Sequence, residues 1–366
     1  MFFLGILVTG TLLQLYVFQR ATSASFLTRQ LFRNLFIAAG VILWTCLVMA
    51  RTVGVNIASP LFYGVDLVGM DWLGVLLLLS VSFLAVDVCT GFGFFLRPML
   101  PGLRTAALIT GTALSVIAIV QGMRPPVIHR YDIHLPGLPR PMDGTVIVAV
   151  SDLHLGVLIG TGWLSARVAQ ILNQHPDMVV LLGDTFDGNT YPRGDLLAVF
   201  KRITAPLGVW AVPGNHDMYG DWERNRALLT KAGVNVLDDR WAKVCPGFVI
   251  AGVEDLTIAS RLNRDKEAIP KALSGHPPET TVLLSHTPWH AKAAADAGVS
   301  LMLSAHTHGG QIWPFGYLVR LRYPMLEGLY KAGHMPVIVC RGTGTWGPRM
   351  RLWQRGEILR ITLHSQ

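Results

Sequence analysis

DGTVIVAVSDLHLG, residues 143–156, decides how this chain is read. Residues 145–151 are apolar or small with no helical period, the pattern of a strand buried on both faces. Asp152 and His154 follow at once, and the two-residue period of an extended chain puts carboxylate and imidazole on one face. Other apolar runs end in the same way. Run 178–182 leads into Gly183-Asp184-Thr185-Phe186-Asp187, and run 208–212 into Pro213-Gly214-Asn215-His216-Asp217. Run 281–285 leads into His286-Thr287-Pro288, and run 300–304 through Ala305 into His306-Thr307-His308-Gly309-Gly310. With 248–252 these runs alternate with helical patterns, which predicts an α/β domain. In such folds the site lies in loops at the carboxyl ends of strands.

A lone strand-end histidine is ordinarily a satisfied structural residue. Five motifs delivering Asp, His and Asn in order are not. Nitrogen and oxygen donors without thiolate suit Mn, Fe, Zn or Mg, and there are more of them than one ion needs, so two ions are implied.

Upstream the composition changes. The chain has 366 residues, 51% hydrophobic and 15% charged, too apolar for an ordinary soluble protein. Of its charges, 41 fall in residues 142–366 and nine in residues 1–123, all Arg or Asp. Four apolar stretches, 2–18, 35–53, 67–90 and 105–123, predict an N-terminal bundle of about four transmembrane helices. Arg20, Arg29 and Arg33 follow the first stretch and Arg97 and Arg104 the third, against Arg51 alone after the second. Positive residues collect on the cytoplasmic side, so this bias puts both termini outside an inner membrane crossed several times, with the second domain extracytoplasmic. Asp71 and Asp87 flank an uncharged run in the third stretch and read as interfacial anchors. No histidine precedes His129, which leaves no ligand of that type for a membrane haem.

Residues 124–141 hold five prolines and no periodicity, the pattern of an extended linker or an edge strand. The soluble domain is expected over 142–366, enough for one sizeable core. Its end is basic: after His308 there are eight Lys and Arg against Glu327 and Glu357. Trp313, Phe315, Tyr317, Tyr323, Trp346 and Trp353 interleave with these arginines, a mixture that suits lipid headgroups or a lipid phosphate, or forms an ordinary core beneath a charged face. The tether to a membrane argues against nucleic acid. Four cysteines make no disulfide scaffold; a Cys245–Cys340 bridge and two buried thiols both remain open.

The order and types of the five strand-end motifs resemble the calcineurin-like metallophosphoesterases. AHTHGGQIWPF (305–315), RGTGTWGPRMRL (341–352) and ILRITL (358–363) are similar to the membrane-anchored bacterial branch. The resemblance implies a four-layer αββα sandwich in which Asp152, His154 and His308 hold one divalent ion and Asn215, His286 and His306 the other, with Asp184 bridging them and manganese the leading metal. It further implies that His216 serves the leaving oxygen and that Asp217 orients His216. Asp187 reads as a supporting or turn-capping group. Ala305 departs from the glycine usual before the first histidine of the last motif, a packing change that keeps both imidazoles. Arg341 and Arg349, beside glycines, are the expected phosphate contacts.

The activity so implied is hydrolysis of phosphate mono- or diesters, with a lipid-linked phosphate the favoured substrate class. A pyrophosphatase acting on a UDP-diacylglucosamine-type substrate is the alternative and requires a cytoplasmic site. A non-catalytic metal-binding membrane scaffold is a third reading, against which the retained His216 argues. Protein partners are not indicated by the sequence.

Overall fold

Long apolar sequence makes the first structural unit helical. Phe2–Ala21 (α1), Gln30–Thr52 (α2), Pro60–Cys89 (α3) and Leu100–Met123 (α4) are the long helices of a computed structural model that describes residues 2–52, 60–188 and 195–366. Contacts divide the chain into two units: 1–124 with Gly347–Trp353, and 125–346 with Gln354–Gln366.

In the first unit α3 packs against the other three helices. A Cβ on Gly69 would lie 2.7 Å from the backbone of Leu47, so α2 and α3 approach as closely as only glycine permits. Among the described residues three helices are long and apolar enough to cross a membrane, Gln30–Met49, Leu61–Cys89 and Arg97–Met123. The expected first span, residues 2–18, lies within α1. Gln14 is buried and spent internally, its amide donating to Gly40 O and accepting from Trp72 Nε1. The end of the expected second span, Val53, lies outside the described residues. Asp87 is buried and accepts from Arg20 Nε and Tyr16 Oη, each at 2.7 Å, so it is a paired core carboxylate and not only an interfacial anchor. Asp71 accepts from the backbone N–H of Arg349 at 2.6 Å.

The second unit contains two six-stranded sheets. Val127–Leu135 (β1), Val146–Val150 (β2), Met178–Leu182 (β3), Val209–Val212 (β4) and Val234–Val236 (β5) belong to the first. Arg240–Cys245 (β6), Phe248–Gly252 (β7), Thr280–Leu284 (β8), Leu301–Ser304 (β9), Gly328–Ala332 (β10) and Met335–Val339 (β11) make the second, and Glu357–Ser365 (β12) returns to the first. The orders are β1-β12-β2-β3-β4-β5 and β10-β11-β9-β8-β7-β6. β2 to β5 run parallel, as do β7, β8 and β9.

Three cores explain why the central strands carry unbroken apolar runs. Ile147, Val180 and Val212 of one sheet meet Ile250, Leu284 and Leu303 of the other. On the outer faces Val148 and Val179 pack on helix residues Leu164, Val168 and Phe200, while Leu283 and Met302 pack on Leu256, Ile269 and Ala294. Helix, sheet, sheet, helix is thus the layer order. The six expected runs are all strands, their ends shifted by at most one residue.

Residues 124–141 are not a linker throughout. β1 pairs in parallel with β12 along its whole length, from Val127 opposite Glu357 to Leu135 opposite Ser365, and buries Ile133 and Leu135 in the inter-sheet core. An edge strand tolerates the flanking prolines because one side of its ladder is free.

Candidate metal centre

The five motifs converge because β2, β3 and β4 are neighbours in one sheet and β8 and β9 in the other, and their carboxyl ends open on one place. Asp152, His154 and His308 offer ligand atoms within 4.8 Å of one another, as do Asp184, His286 and His306. His154, Asp184 and His216 form a third such group, which links the other two through His154 and Asp184. Asn215 adjoins them: the backbone N–H of the next residue, His216, donates to Asp184 Oδ1 at 2.8 Å.

Much of this backbone is strained. Asp152, His154, Asp184, His306 and His308 all have φ between 45° and 73°, where the Cβ crowds a backbone carbonyl, a conformation that recurs at functional sites. Turning sharply out of the strand aims each side chain back over the sheet end. Gly214 is required for a different reason. A Cβ there would lie 2.1 Å from Asp184 Oδ1 and 2.3 Å from Asp184 N. Gly214→Ala is therefore expected to displace the carboxylate shared by both groups and to weaken metal retention by roughly 10–100-fold, as loss of ligand orientation does, which metal titration followed by calorimetry would read.

The donor chemistry fits cations. His154 Nε2 faces His308 Nε2 at 3.2 Å, and His306 Nδ1 faces His286 Nε2 at 3.2 Å. Ligand atoms sharing an ion at about 2.0–2.1 Å stand about 3.0–3.4 Å apart in octahedral or tetrahedral geometry. His286 Nδ1 lies 2.7 Å from Leu182 O, and donating there presents the Nε2 lone pair to Asp184 Oδ2, 3.2 Å away. Both oxygens of Asp152 and Oδ1 of Asn215 are buried without a hydrogen-bond partner among the described residues. Polar atoms are seldom left so unless something else satisfies them.

The electrostatics are strongly perturbed. Burial pushes the Asp152 carboxyl up. For Asp184 burial acts the same way, but His286 and His216 overcome it and hold the group well below the usual carboxylate range. Burial and the neighbouring His286 push His306 down to about 4. Burial works against a charged His216, yet Asp184 and Asp187 raise it to about 9. Opposed shifts packed this tightly mark a functional site.

Two sequence expectations need correction. Asp217 does not orient His216: its carboxylate accepts the backbone N–H groups of Thr185, Phe186 and Gly214 at 3.2, 2.8 and 2.9 Å. The partner of His216 is Asp187, with Oδ1 3.0 Å from Nδ1. Adjacency in sequence misled, because a short helix, Asn215–Tyr219, begins here and turns the neighbouring side chain toward the loop backbone. Arg341 is not poised for phosphate, since its guanidinium is held by Glu357, Glu327, Gln354 and His129. Arg349 falls in the segment Gly347–Trp353 that packs with the helices, where its backbone N–H donates to Asp71.

Two aromatics gain a position that the sequence did not assign. Tyr323 Oη lies 2.8 Å from His306 Nε2, and the Trp346 ring meets His216 edge-on at 5.7 Å. Both stood in the basic, aromatic tail, but no spacing rule ties them to a histidine. Cys245 and Cys340 are free thiols.

The model of the calcineurin-like phosphoesterase family matches residues 145–310. The chain is similar to a Danio rerio protein described as "Transmembrane protein with metallophosphoesterase domain", 34% identical over 70% of this chain and 62% of the relative. A Bos taurus protein of the same description is 31% identical over 74% and 63%. An "Uncharacterized metallophosphoesterase" of Aquifex aeolicus is 32% identical over 65% of this chain and 92% of its own length. The chain thus spans about three fifths of the two animal relatives.

Proposed function

Since this chain belongs to the calcineurin-like phosphoesterase family, we propose that it is a membrane-anchored hydrolase of phosphate mono- or diesters working through two divalent ions, manganese first among the candidates. The observation that carries this reading is the pair of converging donor groups linked through His154 and Asp184. Asp152, His154 and His308 would hold one ion, Asn215, His286 and His306 the other, and Asp184 would serve both. When bound, the two ions supply Lewis-acid activation of the phosphoryl group and a nucleophile at neutral pH.

The chain's own residues do the rest. His216, charged because Asp184 and Asp187 favour its proton, donates that proton to the leaving oxygen. Asp187 fixes the imidazole through Nδ1, which leaves Nε2 directed at the substrate. Asp217 ties the loops after β3 and β4 together, and so keeps Asp184, Asp187 and His216 in register.

Residues 125–346 and 354–366 are the hydrolase domain in this reading, and the N-terminal helices anchor it to the inner membrane. The arginine bias of the loops supports a domain outside the cytoplasm. A lipid-linked phosphate is the substrate class that fits an anchored enzyme with a basic C-terminal region; a UDP-diacylglucosamine-type pyrophosphatase would need the opposite topology. Full-length protein in detergent is expected to hydrolyse bis-para-nitrophenyl phosphate with added manganese and to lose roughly 100-fold or more of that rate after chelation. A folded, metal-loaded protein without turnover on this diester or on lipid phosphates would remove the hydrolase reading in favour of the scaffold.

A further inference from the structure

Beyond the metal centre the chain makes an aromatic turn and a short helix, Gly316–Arg322. No side chain of that helix is buried. Leu321 is 83% exposed, Tyr317 65% and Leu318 60%, and Trp313 and Phe315 in the turn before them are exposed as well. Tyr317 and Leu321 are four residues apart and Leu318 and Leu321 three, so they share one helix face. A contiguous apolar patch of this kind marks an interaction surface.

We propose that this turn and helix lie in the interfacial layer of the bilayer that the N-terminal helices cross. Three observations choose a bilayer as the occupant. The patch mixes Trp, Tyr, Phe and Leu, the residues of membrane-interface helices. Arg320 and Arg322 are exposed on the same short helix and complement anionic headgroups, with Arg322 lying over the Trp289 ring at 4.3 Å. The chain itself also leads back to the membrane unit here: the Gln311 amide brackets the Trp346 backbone, donating to its O at 2.9 Å and accepting from its N–H at 3.0 Å. Gly347, the next residue, opens the segment that packs with the helices.

At its other end the helix reaches the site. Tyr323, the residue after it, stacks on Trp289 at 5.5 Å and contacts His306 through its hydroxyl. An amphiphile resting against the patch would thus have its polar end near the metal donors. That consequence rests on the hydrolase reading; the placement of the helix does not.

The test uses full-length protein in nanodiscs of phosphatidylethanolamine and phosphatidylglycerol, with Cys46, Cys89 and Cys245 replaced by serine. Spin labels are attached one at a time at Leu318→Cys and Leu321→Cys, at Val116→Cys in α4 and at Lys292→Cys on the soluble domain. Oxygen, which partitions into lipid, and a water-soluble nickel chelate compete to relax each label. The proposal expects the oxygen-to-nickel accessibility ratio at 318 and 321 to exceed that at 292 by roughly threefold or more and to approach that at 116. A ratio equal to that at 292 overturns it. Low accessibility to both reagents also overturns it, because a protein, such as a second copy, would then cover the patch. A lipid-like ratio in a protein that hydrolyses nothing upholds the placement and removes only the hydrolase reading.

Discussion

Asp184→Asn is expected to lower hydrolysis of bis-para-nitrophenyl phosphate by roughly 1000-fold or more and to remove at least about one ion per chain. The direction follows from how the carboxylate is used. Oδ1 accepts the backbone N–H of His216 at 2.8 Å, while Oδ2 faces His286 Nε2 at 3.2 Å and His154 Nε2 at 3.7 Å. An asparagine would keep its oxygen where the N–H demands an acceptor. The amide nitrogen must then occupy the place of Oδ2, where it directs hydrogens at donors from both groups and removes the negative charge they share. Asp152→Asn provides the comparison, since Asp152 falls in one donor group only and should spare the other ion. Elemental analysis of purified variants reads the metal, and kcat with saturating manganese reads the chemistry. An Asp184→Asn protein that keeps two ions and activity within tenfold would show that Asp184 is not shared between them.

The fold was legible where burial dictates sequence. Strands covered on both faces must be apolar throughout, so β2, β3, β4, β7, β8 and β9 announced themselves. β1 did not, because an edge strand of alternating burial with His129, Arg130, Asp132 and His134 resembles a polar linker until its partner β12, some 230 residues later, is known. The clustering of the donors was legible from strand ends for the same reason: neighbouring parallel strands bring their carboxyl ends together whatever lies between.

What surrounds the donors was not legible. Which carboxylate serves His216 depends on how a loop turns, and the left-handed residues Asp152, His154 and Asp184 leave no trace in composition. The arginines misled for an electrostatic reason. A basic tail suggests phosphate contacts, but Arg341 lies between Glu327 and Glu357, where a buried carboxylate needs its charge answered within the fold. Burial opposes the ionisation of Glu357, and His129 and Arg341 more than offset it, so its carboxyl sits below the usual range. That arginine stabilises the β12 end of the first sheet and is not available to a ligand.

Replacing His216 separates chemistry from metal binding, and its partners separate positioning from folding. His216→Gln is expected to lower kcat for an alkyl phosphodiester by roughly 100–10,000-fold, the contribution typical of a general acid, while both ions stay bound. The loss should be far smaller for a para-nitrophenyl ester, whose leaving group departs without a proton. A uniform loss on both substrates would instead make His216 a phosphate-binding group. Asp187→Asn keeps a hydrogen-bond acceptor near Nδ1 but removes the charge that holds the imidazole protonated, so it should follow the same leaving-group pattern at about tenfold amplitude. Asp217→Asn should not follow it. That carboxylate accepts three backbone N–H groups and makes no hydrogen bond to the imidazole, on which its charge acts less than those of Asp184 and Asp187, so an amide in its place chiefly leaves a buried donor facing donors. The expected result is a loss of about 1–3 kcal/mol of stability, seen as a lower unfolding temperature, with kcat falling equally for both leaving groups. The leaving-group split thus identifies the acid and the carboxylate that serves it, and distinguishes Asp187 from the Asp217 that stands beside His216 in sequence.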